Sequence, residues 1–448
     1  MGAATVFGPE AVSNCKRGAG APERRPPCRD PLWTNRRPAR IVAAVLFSAG
    51  CIVSAISVIV PTFNRKDYLL EALAALQQQT RPVSQIIVWD DGSSDGTHAA
   101  VAALSDPRLQ YCRAENAGKA AALNAALELA DGDYIWICDD DDIALPDAAE
   151  QLAGLLDAHP EAGVAGGCYN RFRDGPEGRE VTGPGYWPDL STGTPLRHLL
   201  EDIFLFQNAT LVRRACYGRT GPFREDLPRS IDYDMIVRLA VRFPIRMTSQ
   251  KLFLQRKHDG LRGPAGHRHA ASAADSVWAQ QDKVVFQGLR DHLPLSLMEA
   301  MFSGASRAHL RRAACLQRGG AFARHNLWQD ALSDFEAAAA AEPAAPLAAV
   351  ETAICRRAVS GKHGVAFSPD DRRRLNRLRS SGAAGRAIAA SLGRGLLWSL
   401  RRAAGRGNPA ETLRLARMLA ATGLRLRGGA QDSRLRENSI LSAAAYTW

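Results

Sequence analysis

Between residues 55 and 145 four short strand-like runs alternate with amphipathic stretches. The runs are Ile56–Val60, Gln85–Trp89, Arg108–Arg113 and Tyr134–Cys138. Each is bounded by turn formers and is short enough to read as a strand. Lys66–Gln79 carries Leu69, Leu73 and Leu76 on one helical face and is closed by Gln-Gln-Gln-Thr-Arg-Pro82, where proline stops the helix. Thr97–Leu104 and the Ala/Leu stretch Ala120–Ala130 predict two further helices. Strands alternating with helices of this length predict βαβ units on a mostly parallel sheet, an α/β fold.

The fourth run ends abruptly in Asp139-Asp-Asp-Asp142. Four adjacent acids cannot be buried without a counter-charge. The strand is therefore expected to deliver them to the sheet edge, where ligands of open α/β sheets sit. A bound cation and an acidic turn capping a helix that starts near Pro146 both fit this pattern. Gln85–Trp89 also ends in carboxylates, Asp90 and Asp91, followed by Gly92-Ser-Ser-Asp-Gly-Thr97. Parallel strands bring both acidic ends to one side. No GxxxxGK[ST] is present, and no GxGxxG follows the first strand. Phosphates are then expected to be held by an oxygen-loving divalent ion rather than by a glycine cradle.

The net charge of +11 suits acidic ligands but specifies none, and a general bias toward Arg and Ala explains it as well. The nine cysteines are irregularly spaced and form no CxxC pair, which fits reduced thiols in a cytoplasmic protein. Residues 1–50 are expected to be a basic, disordered extension. Ile41–Val60 is an uncharged run of twenty residues behind Arg36, Arg37 and Arg40. It has the length of a membrane span or signal anchor. Its last part is also claimed by the first strand, so residues 41–55 are left open as an anchor.

Val58-Ile-Val-Pro-Thr-Phe-Asn-Arg65, Gln79-Thr80, Ile87-Val-Trp-Asp-Asp-Gly-Ser-Ser-Asp-Gly-Thr97, Asn116-x-Gly118 and Gly132-Asp-Tyr-Ile-Trp-Ile-Cys-Asp-Asp-Asp-Asp-Ile-Ala-Leu-Pro146 stand in that order. Over about residues 55–265 the chain resembles family 2 glycosyltransferases. The resemblance implies a GT-A fold, a nucleotide-diphosphate-sugar donor with a UDP-sugar first in line, a divalent metal (Mn²⁺ or Mg²⁺) and inversion at the anomeric carbon. It implies that Thr62 and Asn64 contact the nucleotide, that Asp90 hydrogen-bonds the base, and that Asp91 supports that turn. Lys119 falls near a basic position reaching the base or phosphates. Asp139-x-Asp141 falls on the metal motif and Asp140 where ribose or metal is contacted. The fourth acid leaves this register ambiguous by one residue, with Asp142 read as the start of the next turn.

Inversion needs a base for the acceptor hydroxyl, opposite the leaving group. Arg229-Ser-Ile-Asp232-Tyr-Asp234 lies where the family carries Glu-Asp, an aromatic and an acid, with Ile231 in place of the Glu. Asp232 matches the base, and Asp234 is the second choice, read as a helix cap. Phe206–Arg214 and Gly221–Leu227 resemble the approach to the acceptor site. Leu254-Gln-Arg-Lys-His258 resembles a strand whose His reaches the diphosphate or metal, so His258 joins the metal candidates.

Residues 168–200, with Gly183-Pro-Gly-Tyr-Trp-Pro188, read as a long loop over the site. The expected domains are a GT-A domain over 51–288, an all-α region over 289–430 and a disordered tail over 431–448. Residues 310–343 are similar to one tetratricopeptide unit, which fits either a partner-binding appendage or a helical cap. Arg-rich amphipathic stretches at Ile388–Leu400 and Thr412–Leu424 suit an anionic membrane surface, a protein partner or plain solvent. No nucleic-acid partner is expected.

The expected activity is non-processive hexosyl transfer to a glycan or lipid-linked acceptor, in the cytoplasm or at the inner face of the membrane. The Gln-x-x-Arg-Trp motif of processive members is not visible. The alternatives are a nucleotidyltransferase and a non-catalytic scaffold acting through its helical region.

Overall fold

A computed structural model of the chain describes residues 54–257, 274–304, 306–424 and 441–443. The expected alternation is present. β1 (Ile56–Thr62), α1 (Lys66–Gln77), β2 (Gln85–Asp90), α2 (Thr97–Ala102), β3 (Leu109–Arg113), α3 (Lys119–Leu127) and β4 (Tyr134–Ile137) follow in order. β1 lies between β2 and β4 and runs parallel to both, and β3 adds parallel to β2. Every residue of β1 and β4 is buried, as for strands covered on both faces. Leu69, Leu73 and Leu76 are the buried face of α1. That helix ends at Gln77, and the Gln79 side chain just beyond it ties α1 to residues 145–149. Its Nε2 donates to Leu145 O at 2.8 Å, and its Oε1 accepts from Ala149 N at 2.9 Å.

After β4 the chain crosses to the far side of the sheet. There follow β5 (Ile143–Ala144), α4 (Ala148–Ala158), β6 (Val164–Gly175), β7 (Gly178–Pro184), α5 (Pro195–Glu201), β8 (Thr210–Arg213), α6 (Arg214–Thr220), α7 (Ile231–Arg242) and β9 (Ile245–Arg256). The strand order is β3-β2-β1-β4-β8-β6-β9-β5, with β7 paired to β6. β8 enters antiparallel between β4 and β6. The result is a GT-A-like sheet, parallel from β3 through β4 and again between β6 and β9, and flanked by helices.

The long loop expected over 168–200 is not found. β6 and β7 form a hairpin there, followed by α5. Glycines hide the strand pattern of β6 in the sequence. A Cβ on Gly167 would sit 2.4 Å from Leu252 Cδ1 of β9, so the missing side chain is what lets the two strands close.

The rest is mainly helical: α8 (Ala274–Leu289), α9 (Leu295–Glu299), α10 (Arg307–Arg324), α11 (Trp328–Ala341), α12 (Ala349–Arg357), α13 (Pro369–Ser380), α14 (Ala383–Gly405) and α15 (Pro409–Thr422). Ser306, Ser368 and Asn408 cap α10, α13 and α15 by accepting from backbone N–H groups. α10 and α11 form a close pair, in which a Cβ on Gly319 would meet the Phe335 ring at 2.8 Å. Arg312 is wholly buried and is met by Glu351 of α12 at 2.7 and 2.8 Å. Leu441–Ala443, inside the expected tail, pairs antiparallel with β10 (Phe302–Gly304). Among the described residues no helix is long and apolar enough to cross a membrane. Residues 41–53, which begin the open anchor stretch, lie outside them.

Candidate active site

The carboxyl ends of β1, β2 and β4 meet through Thr62. The Thr62 carbonyl accepts from Asp91 N at 2.9 Å, and its hydroxyl donates to Asp140 Oδ2 at 2.8 Å. The two acidic turns are thus joined through one residue of β1, as the parallel register requires. Asn64 has φ 51°, a left-handed conformation that asparagine tolerates. Its backbone N–H donates to Ser93 Oγ and its Oδ1 accepts from Ser94 N, both at 2.8 Å. Asp90 is fully buried, accepting from Ser93 N at 2.7 Å and from the Tyr111 hydroxyl. Asp91 accepts from Ala117 N at 2.8 Å and Gly118 N at 2.9 Å. Gly118, at φ 90°, supplies the turn that starts α3 at Lys119.

Asp139–Asp142 bridge β4 and β5, and Asn208 pins both ends of the stretch. Its Oδ1 accepts from Asp139 N at 2.8 Å, and its Nδ2 donates to Asp142 Oδ2 at 2.9 Å. Arg256 closes the turn from β9. Its N donates to Asp142 Oδ1 at 2.8 Å and its Nε to Asp141 O at 2.9 Å. Two cations face the acids. Arg65 Nη1 lies 3.1 Å from Asp140 Oδ1 and 2.8 Å from Asp141 Oδ2, and Lys119 pairs with Asp139.

These cations do not fully relieve the crowding. Burial pushes Asp140 up to about 6, Arg65 opposing and Asp141 adding to the rise. Burial, Asp141 and Asp139 also raise Asp142. Asp139, Asp141 and Asp142 each present an oxygen, and the three lie within 4.8 Å of one another. An all-oxygen set of crowded carboxylates fits Mg²⁺ or Mn²⁺. The geometry adds Asp142 to the expected pair Asp139 and Asp141. Asp140 is engaged by Thr62 and Arg65. His258 lies outside the described residues.

Asp232 is the second residue of α7 and half-buried. Burial raises its carboxyl, with Lys119 opposing and Asp139 adding. Lys119 is held charged by Asp139 first and then by Asp232 and Asp141, against the cost of its own burial. The candidate base and the candidate metal acids therefore share one counter-charge. Asp234 is committed elsewhere: it is 1% exposed and paired with Arg238 four residues on, Nε to Oδ2 at 2.8 Å.

Three residues of this site escaped the sequence reading. Arg65 had a signal, since a cation in the β1 turn answers the need of four acids for counter-charge. Asn208 and Arg256 had none. Each reaches the acids from more than sixty positions away.

Residues 57–219, from β1 to α6, match the family model described as glycosyl transferase family 2. The chain is 28% identical over 192 residues to the hyaluronan synthase of Pasteurella multocida, covering 42% of this chain and 19% of that protein. It is 36% identical over 118 residues to glycosyltransferase GlyG of Streptococcus pneumoniae, covering 26% and 39%. Among solved structures, S. aureus TarS 1–349 in complex with UDP-GlcNAc superposes with a TM-score of 0.47 at 16% identity, covering 86% of this chain and 98% of that one. The chain spans about a fifth of the length of the first curated relatives it matches. The family match supports a family 2 glycosyltransferase domain built on this sheet.

Proposed function

We propose that the chain is an inverting, metal-dependent glycosyltransferase that moves a hexosyl group from a nucleotide-diphosphate sugar, a UDP-sugar first in line, to a hydroxyl of a glycan or lipid-linked acceptor. The observation that carries the reading is the shared counter-charge. Lys119 pairs with Asp139 in the carboxylate cluster at the end of β4, and its charge also acts on Asp232 at the start of α7. Donor and acceptor chemistry need these two kinds of acid side by side.

The nucleotide is placed against the turns of Thr62, Asn64, Asp90 and Asp91. Asp139, Asp141 and Asp142 would hold a divalent ion, which would supply Lewis-acid neutralisation of the diphosphate. Arg65 and Lys119 add positive charge on the same side, where negative charge develops as the bond breaks. Asp232 accepts the proton of the acceptor hydroxyl. The hydroxyl oxygen bonds to the anomeric carbon on the face opposite the diphosphate. The bond from that carbon to the phosphate oxygen breaks, its electron pair leaves with the nucleotide, and the configuration inverts. A lipid-linked acceptor is supported by the arginine-rich surface of α14 and α15, which suits peripheral contact with the inner face of a membrane.

The test is a melting-temperature screen of nucleotide-diphosphate sugars with Mn²⁺ and with EDTA. A ligand at a hundredfold excess over its Kd stabilises by about 2.7 kcal/mol. One donor is expected to raise the melting temperature only with Mn²⁺, and Asp141→Ala to abolish the shift. No shift with any donor, in folded protein, would sink the reading in favour of a scaffold.

A further inference from the structure

The two residues that set the direction of Asp232 are held from outside the sheet domain. Ser230 precedes α7 with φ 54°, a conformation that persists only where the surroundings fix it. Its hydroxyl donates to Asp282 Oδ1 of α8 at 3.3 Å. Asp282 is 2% exposed. Its other oxygen is met by His363 Nε2 at 2.8 Å and Lys362 Nζ at 3.2 Å. Both partners come from the α12–α13 connection of the helical region. Lys362 also reaches Asp202, at the end of α5. A carboxylate buried this deeply requires such partners.

Tyr233, which follows Asp232, is buried as well. Its hydroxyl donates to Leu199 O at 2.7 Å. Its ring meets Phe286 of α8 edge-on at 5.5 Å and His325, just past α10, at 6.0 Å. His325 stacks on Phe286 at 3.5 Å, and its Nε2 donates to Leu200 O at 3.1 Å. The residues on both sides of Asp232 are thus anchored to groups that the helical region supplies or pairs with.

We infer that the helical region is part of the transfer machinery: Lys362 and His363 through Asp282 and Ser230, and His325 through Tyr233, are positioning residues for Asp232. The catalytic meaning rests on Asp232 being the base; the anchoring itself does not. The physical reason is helix geometry. At 3.6 residues per turn, a start displaced by one residue turns the Asp232 carboxylate by about 100°. Misplacement of a reacting group by about 1 Å costs roughly a hundredfold in rate. A frayed first turn therefore removes the base without touching the donor side.

The test compares the full chain with the double variant Lys362→Met/His363→Gln and with the conservative Lys362→Arg. Hydrogen–deuterium exchange is read for peptides covering residues 228–240, 85–92 and 134–143. The probe for chemistry is Mn²⁺ with the donor selected by the melting screen, scored by nucleotide release to water. In the double variant, exchange in the first turn of α7 is expected to rise about tenfold while the other two peptides stay unchanged. The donor-dependent melting shift persists, the donor Kd stays within about twofold, and kcat for release falls about tenfold or more. Lys362→Arg keeps wild-type values. Unchanged exchange at α7 would overturn the inference. So would a rise across all three peptides with loss of the donor shift, which would mean that the cluster only holds the fold. If the wild type binds and cleaves no nucleotide sugar, the proposed function fails, and the exchange result alone still decides whether the helical region anchors α7.

Discussion

Arg65 holds its Nη1 2.8 Å from Asp141 Oδ2, so the cation that opens α1 neutralises the acids that end β4. Arg65→Ala is expected to lower the stability of the metal-free protein by about 1 kcal/mol, a modest figure because the arginine is partly exposed. Mn²⁺ then restores part of the loss, since the uncovered carboxylates are cation ligands. Melting scans with and without Mn²⁺ check this. A metal-free variant as stable as the wild type would show that the pair contributes nothing.

Asp232 and Asp234 lie two residues apart and separate by the nature of their failure. Asp232→Asn is expected to fold, keep the donor-dependent melting shift and lose about 10²- to 10⁴-fold in transfer rate. Asp234→Asn strips Arg238 of its buried partner and is expected to cost about 3–5 kcal/mol of stability. Urea unfolding and kinetics on both variants decide. A stable Asp234→Asn enzyme with a collapsed kcat would reverse the assignment.

The His325 imidazole titrates against the fold. Burial pushes it down to about 3, with Asp282 and the Leu200 carbonyl opposing. The folded state stays neutral while the unfolded chain takes up a proton below about 6.5. Stability is therefore full above that pH and falls as pH drops toward 3, at a slope approaching about 1.4 kcal/mol per pH unit. His198, also lowered by burial, to about 4, adds to the same window. Urea midpoints from pH 7 to 4.5 are expected to fall in the wild type and to fall less steeply in His325→Gln.

α14, α15 and their connection carry seven arginines against one acid, Glu411, between residues 383 and 424. Trp398 is 63% exposed and Leu413 52%. Arg394, Trp398 and Arg402 repeat every four residues, and Arg402 lies 5.1 Å from the Trp398 ring. An aromatic among cations on one stripe suits the interface of an anionic bilayer. The chain is expected to sediment with vesicles containing phosphatidylserine and to stay in solution with pure phosphatidylcholine. At about 1 kcal/mol per arginine, Arg401→Glu/Arg402→Glu weakens binding tenfold or more. Equal binding to neutral vesicles would refute the charge argument.

β1, β2 and β4 were legible because they are buried on both faces, so each reads as an unbroken apolar run closed by turn formers. Ile56–Thr62, Gln85–Asp90 and Tyr134–Ile137 needed no tertiary information. The β6–β7 hairpin was not legible, because its glycines replace the side chains that would have shown the alternation. In the site, the sequence alone determined which acids end the strands and that they share one side, since parallel register follows from the βαβ order. It could not determine which oxygens converge or what counters them. Asp142 joins Asp139 and Asp141 only because Asn208, in the turn before β8, and Arg256 of β9 hold the turn from far along the chain. Ser230 is tied to Asp282 only because α8 and the α12–α13 connection pack against α7. Strand ends follow from local pattern. The placement of a charge among its partners depends on contacts between residues far apart in the chain, and only the packed structure sets those.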